Sequence, residues 1–316
     1  MKKKLYLIII TILLLFFNAI MLIFPKEILT GARSGLLQWY NNVLPSLFPF
    51  MVFTSMLIYA KFPLRLGKIL SPLCRGLFKV SGEGGFAIVT GLMAGCPLGA
   101  KTVCDLYCEK MITRSEAQRL LVFCNNTGPL FLIGAVGEGM LGNSFIGVKI
   151  LAVQYLSALI MGIGTGVFAK KEKKITPLCR NDLNTEMSAA FSASVSSAVT
   201  SITLVGGFIT LFSVIGAILT SSGIMHFLSL PFIWWGFDEG TSRAVICGIL
   251  EITNGMSRLS TDSFSFPVAC ALSAWGGLSI HAQSAAFITS SGLSVKKYIL
   301  GKALQALIAF IIAPSL

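Results

Sequence analysis

Apolar residues run through this chain in long unbroken blocks without the alternation of a half-buried strand, so helices are predicted along its length. The block over residues 5–24 follows lysines at positions 2–4 and is long enough to cross a bilayer; it offers no convincing small-x-small cleavage site and is read as a first transmembrane helix rather than a signal peptide. Residues 36–60 are apolar but carry Pro45 and Pro49, so this span should be irregular near its middle. In residues 66–80, cations are spaced among apolar side chains, as in an interfacial or re-entrant segment. Residues 86–100 form an apolar run cut by glycines and Pro97. Thr113 with Glu116 three positions later gives the capping-box pattern for a helix that runs into Asn125-Asn126-Thr127-Gly128-Pro129, a second interruption. A short apolar piece, a glycine-rich turn with Glu138, and a full span over residues 145–168 complete this half.

The second half follows the same order. A long apolar span (189–219) and an aromatic shoulder (227–237) lead to a broken run (244–257) and a polar stretch (258–265). Residues 266–287 are interrupted at Gly276-Gly277, and a last span covers 298–313. The two halves share one plan, most visible in GLMAGCPLGAK (residues 91–101) and GILEITNGMSR (248–258), which have the same length and end on Lys101 and Arg258. The predicted organisation is an N-terminal transmembrane helix and connection (1–34), a first repeat (35–169), a cytoplasmic linker (170–187) and a second repeat (188–316). The lysine group from Lys170 to Lys174 places that linker in the cytoplasm, which makes corresponding spans run in opposite directions. The fold class expected is therefore all-α and polytopic, with two inverted-topology repeats whose broken or re-entrant helices meet near the bilayer midplane.

Composition strengthens the membrane reading. Of 316 residues 54% are hydrophobic and 12% charged, and the mean hydropathy is +0.81. The net charge of +12 comes largely from short basic groups beside apolar runs, the positive-inside pattern, and no basic stripe with interleaved aromatics suggests nucleic acid. Eight scattered cysteines without CxxC or paired histidine spacing indicate neither a zinc site nor a disulfide framework. No metal and no cofactor is expected.

Irregular backbone in lipid is tolerated only where protein or a water cavity satisfies it, so the breaks are where a substrate site is expected. Lys101 and Arg258, at matching positions, would suit a small dianion, Arg258 forking onto a carboxylate and Lys101 acting as a point charge. Asn125, Asn126, Thr127, Gly128, Asn254, Ser257, Gly276 and Gly277 would supply amide and hydroxyl donors, although small residues also serve plain helix packing. Glu251 and His281 are candidates for proton coupling, and either could equally be a static hydrogen-bonding group. Gln283 follows His281 and could line the same cavity. Ser257 and His281 loosely match a serine–histidine dyad of intramembrane proteases, but the short gap and the Ala100 that twins Ser257 weigh against an enzyme.

The strings GLMAGCPLGAK, SEAQRLLVFCNNTGPLFLIGAVG and GILEITNG together resemble the YlbJ-type (SpoVV) sporulation integral membrane proteins, which carry the nucleoside recognition or Gate domain. This resemblance covers roughly residues 36–313. It implies a non-enzymatic role in endospore formation, in the outer forespore membrane, moving dipicolinic acid toward the forespore and serving the spore cortex. Partners implied are the dipicolinate anion, the lipid bilayer, and a second copy or other sporulation membrane proteins. Gate segments also occur in nucleoside transporters, so a nucleoside or other metabolite carrier of the same fold, and a non-transporting scaffold, stay open as alternatives.

Overall fold

Every regular element among the described residues is helical in the computed structural model, which describes residues 11–12, 15, 18–169, 187–259 and 264–316. Much of the 5–24 helix, most of the linker from 170, and the middle of the 258–265 stretch lie outside the described residues.

Helix α1, Pro25–Tyr59, is one 35-residue element. The irregularity expected around Pro45 takes the form of wider π turns over Trp39–Val43, just ahead of that proline, which let the helix continue past a residue lacking an N–H. The helix begins well before residue 36. Residues 26–34, more polar than the span that follows, are helical too, and Gly31 and Gly35 let them press on the second half: a Cβ at Gly35 would lie 2.7 Å from the Thr210 Cα. Helix α2 (Phe62–Leu73) leads to α3 (Gly84–Met93) and α4 (Leu98–Cys108), a hairpin whose turn holds Gly95. Helix α5 (Arg114–Phe123) opens on the expected capping box, with Glu116 N–H donating to Thr113 Oγ1 at 3.0 Å and Thr113 N–H donating to Glu116 Oε2 at 2.9 Å. After the break come α6 (Leu130–Met140), of π type, and α7 (Ser144–Val167).

The second half supplies α8 (Met187–Ser221), α9 (Ile224–Trp234), α10 (Glu239–Leu250) and the five-residue α11 (Ile252–Met256). Then follow α12 (Ser265–Trp275), α13 (Leu278–Ser290) and α14 (Val295–Ile312). Among the described residues, four helical stretches are long and apolar enough to cross a membrane, namely α1, α7, α8 and Val295–Ser315. With the shorter apolar helices between them, this is an all-α polytopic membrane protein.

The order α2 to α7 repeats as α9 to α14, and the packing is reciprocal. Helix α5 lies on α14 of the other half while its counterpart α12 lies on α7; α4 packs on α13 while α11 packs on α6; α7 and α14 pack on each other. Such exchange is what an internal two-fold relation produces. One apolar cluster fills the first hairpin, α5 and the start of α14, a second fills α7, α10 to α12 and the end of α14, and a third joins α1 to α8.

Candidate functional site

The first hairpin is seated on the α5 break by glycines. Cys124 ends α5, and its carbonyl oxygen lies where a Cβ on Gly91 or Gly99 would stand, 1.8 Å and 2.2 Å away. Gly95, in the left-handed region at φ +88°, brings the hairpin turn against the Gly128 amide, 2.5 Å from where its Cβ would be. Only glycine at these three positions permits backbone to lie on backbone, so the hairpin tip and the NNTGP break form one unit.

The second hairpin is built the same way with different residues. The chain is extended at Glu251 between α10 and α11, and its carboxylate caps the short helix by accepting from Thr253 N–H at 3.1 Å and Asn254 N–H at 2.8 Å. Gly276 and Gly277, at φ +86° and +89°, open the α12–α13 break, and a Cβ on Gly277 would stand 3.2 Å from the Glu251 Cα. Trp275 reaches back, its Nε1–H donating to the Ile249 carbonyl at 3.2 Å. Each hairpin tip therefore rests against the glycine break of its own repeat.

Between the two breaks runs a buried polar network. Asn125 Nδ2 donates to Ser284 Oγ at 3.0 Å and Tyr298 Oη at 2.8 Å, while its Oδ1 accepts from Ala100 N–H at 3.3 Å. Thr127 Oγ1 donates to the Ser273 carbonyl at 2.8 Å, and Gln154 Nε2 donates to the Thr127 carbonyl at 2.7 Å. Asn126 donates to the Phe123 carbonyl at 2.7 Å and accepts from Gln305 Nε2 at 2.9 Å. Lys302 Nζ donates to Gln305 Oε1 at 2.7 Å, and His281 Nδ1 lies 3.0 Å from Tyr298 Oη with its ring edge-on to Trp275. Gln154 Oε1 and His281 Nε2 are buried and find no partner among the described residues.

Asn125, Asn126, Thr127 and His281 thus meet in one network, with Gly128 at the first hairpin turn and Gly276 and Gly277 at the second break. Gln283 is buried beside it, donating to Ser279 Oγ at 3.2 Å. The structure does not bring Lys101 and Arg258 together. Lys101 is buried in α4, one turn from Asp105, whose Oδ2 it meets at 2.7 Å. Arg258 is exposed and lines a cavity of about 380 Å³ between α1, α8 and the second hairpin, shared with Glu251, Asn254, Lys26, Glu27 and Ser213. Ser257 is exposed and donates to the Asn254 carbonyl at 3.3 Å, outside that lining. Glu138 is exposed on α6.

Sequence reasoning missed Lys302, Gln305, Gln154 and Tyr298. A signal existed: Lys302 and Gln305, three apart in an otherwise apolar span, fall on one helix face, and Gln154 holds in α7 the place that Gln305 holds in α14, eleventh from the start of each. No group of three or more metal-ligating side chains occurs among the described residues.

No protein-family model matches the chain. It is 30% identical over 321 residues to the sporulation integral membrane protein YlbJ of Bacillus subtilis (strain 168), a match covering 93% of this chain and 79% of that protein. Among solved structures it is similar to CNTnw, a concentrative nucleoside transporter carrying two substitutions, in an outward-facing state. The TM-score is 0.52 with 14% identity, over 98% of this chain and 85% of that one, a likeness of fold.

Proposed function

We propose, for a chain that belongs to the family of the sporulation integral membrane protein YlbJ, that it carries a small solute across a membrane by moving one hairpin-and-break unit relative to the other. The observation that carries this reading is the paired construction: two glycine-seated hairpin tips, each on its own helix break, joined by a buried polar network that crosses from one repeat to the other. Polar groups inside a membrane bundle are costly and concentrate along solute and ion paths. The nucleoside-transporter fold agrees with carriage rather than catalysis.

The substrate we assign is a small organic anion, with dipicolinate, in the outer forespore membrane, as the candidate. Its seat is the cavity at the second hairpin tip. A volume of about 380 Å³ accommodates a single-ring solute, and Arg258 and Lys26 offer cations for two carboxylates. Glu251 is held by the backbone amides of its own helix, leaving Glu27 as the acid facing the solute. Lys101 is left to its pairing with Asp105.

One observation favours a second reading. The cavity's two cations are balanced by two carboxylates, which suits an uncharged, hydroxyl-rich ligand such as a nucleoside. Vesicles containing the purified protein separate the two. Dipicolinate uptake that falls about 10–100-fold in Arg258→Ala, the cost of one charge-assisted pair, supports the anion; uptake of nucleoside indifferent to Arg258→Ala supports the second reading. Uptake of neither would defeat carriage by this protein alone.

A further inference from the structure

Lys302 stands out as a cation without an anion. Its side chain is 2% exposed, and among the described residues no carboxylate pairs with it. Its one hydrogen bond among the described residues is to Gln305 Oε1, on the same helix one turn on. Gln305 is turned for this purpose, because its Nε2 is spent on Asn126 Oδ1 at 2.9 Å and Ser157 Oγ at 3.4 Å. An ammonium buried with a single amide oxygen would be costly unless other negative potential reaches it.

The surroundings supply that potential through backbone. Gly301 brings α14 hard against α5, with a Cβ there 2.5 Å from Val122 Cγ1, so Lys302 enters at the C-terminal end of α5. It lies within electrostatic reach of Cys124, the residue that ends α5, and of Cys96, in the turn that follows the end of α3. Both helices stop within the bundle, and the C-terminal end of a helix carries a partial negative charge from carbonyls that lack intrahelical partners. His281 is the other titratable group within electrostatic reach. The end of α5, the turn after α3 and the Gln305 amide, itself tied to Asn126 of the unwound NNTGP segment, thus surround the ammonium. In carriers built from broken helices, such half-helix ends and unwound carbonyls gather a monovalent metal cation.

We propose that the Lys302 ammonium is the resident cation of this junction, occupying the seat where a carrier of this construction would otherwise hold a sodium ion, so that the protein is assembled and works without sodium. The asymmetry of the repeats agrees with this. The matched glutamines Gln154 and Gln305 are present in both halves, but the position matching Lys302 is Leu151, since each stands eighth in its helix. The extra cation serves one junction only, the one where the first hairpin docks.

The consequence for transport rests on the carrier reading, but the seat itself is tested by folding. The probe is sodium chloride against choline chloride at equal ionic strength, and the readout is the unfolding midpoint of the purified protein in detergent. The wild-type midpoint should be the same in both salts. Lys302→Ala vacates the ammonium and its stem; its midpoint should fall in choline and be partly restored by sodium or by methylammonium. Lys302→Met, neutral and close in volume, should be destabilised and gain nothing from either ion, because the stem still fills the seat. A wild-type midpoint that rises selectively with sodium would overturn the proposal, even if neither variant folds. So would a Lys302→Ala protein that folds with an unchanged midpoint. Failure of vesicles to take up any solute would count against the carrier reading and leave these outcomes as they stand.

Discussion

Adding one methyl group at Gly91 tests whether the first hairpin is held by backbone contact. A Cβ there would stand 1.8 Å from the Cys124 oxygen, whereas carbon and oxygen approach to about 3.3 Å. The hairpin would have to withdraw by roughly 1.5 Å, since the obstacle is a carbonyl and no side chain can swing aside. The Ala100 N–H bond to Asn125 Oδ1, already 3.3 Å long, would then be lost. Overpacking of this kind costs about 1–3 kcal/mol and the bond about 1 more, so Gly91→Ala should destabilise by about 2–4 kcal/mol. Gly164 in α7 is the control, with nothing within 4 Å of its added Cβ; there alanine should be neutral or gain up to about 1 kcal/mol from helix propensity. Unfolding midpoints of the two variants in detergent, converted to free energies, make the comparison. Stabilities within about 0.5 kcal/mol of each other would refute the seating argument, because the two substitutions are chemically identical and differ only in what lies opposite.

Two other perturbations probe the same machinery. Asn125→Ala with Tyr298→Phe in a double-mutant cycle should give a coupling of about 0.6–1.7 kcal/mol, the range for interhelical bonds in membrane bundles, read from unfolding of the four proteins; zero coupling would mean that the 2.8 Å contact contributes nothing. Glu251→Ala removes both cap bonds of α11 and should cost about 0.5–2 kcal/mol, with faster amide hydrogen exchange confined to residues 252–257; exchange unchanged there would show that the short helix stands without its cap.

How much of this was legible in the sequence depended on whether the cause was local. The capping box at Thr113 and Glu116 was readable because both partners lie within one turn, and the breaks at Gly95 to Pro97, Asn125 to Pro129 and Gly276-Gly277 because glycine and proline declare backbone conformation by themselves. The helical beginning of α1 was not, because residues 26–34 mix charged and polar side chains with only a few apolar ones, and the contact that seats them, Gly31 and Gly35 on α8, lies nearly two hundred residues away in sequence. Equal spacing suggested that Lys101 and Arg258 would meet. It could not show that the second hairpin's returning helix is only five residues long, against eleven in α4, so that matched sequence positions fall at different depths.

That difference in hairpin length bears on how the two halves would divide the work. The first hairpin has a full returning helix, three glycines seated on backbone, and a buried cation where it docks. The second has a short one capped by a carboxylate and borders an open cavity. Both tips rest on backbone through glycine, but a helix of one turn has fewer internal bonds to hold it than one of three turns, and the cavity beside it leaves room to shift. On the proposed carriage, the second tip is therefore the one expected to move. That would set the moving element beside the residues proposed to meet the solute, Arg258 and Asn254, and the stationary one beside Lys302. A solute bound at Arg258 would then slow exchange over residues 252–257 and leave residues 91–101 unaffected, whereas slowing at both tips would show that the halves move as equals.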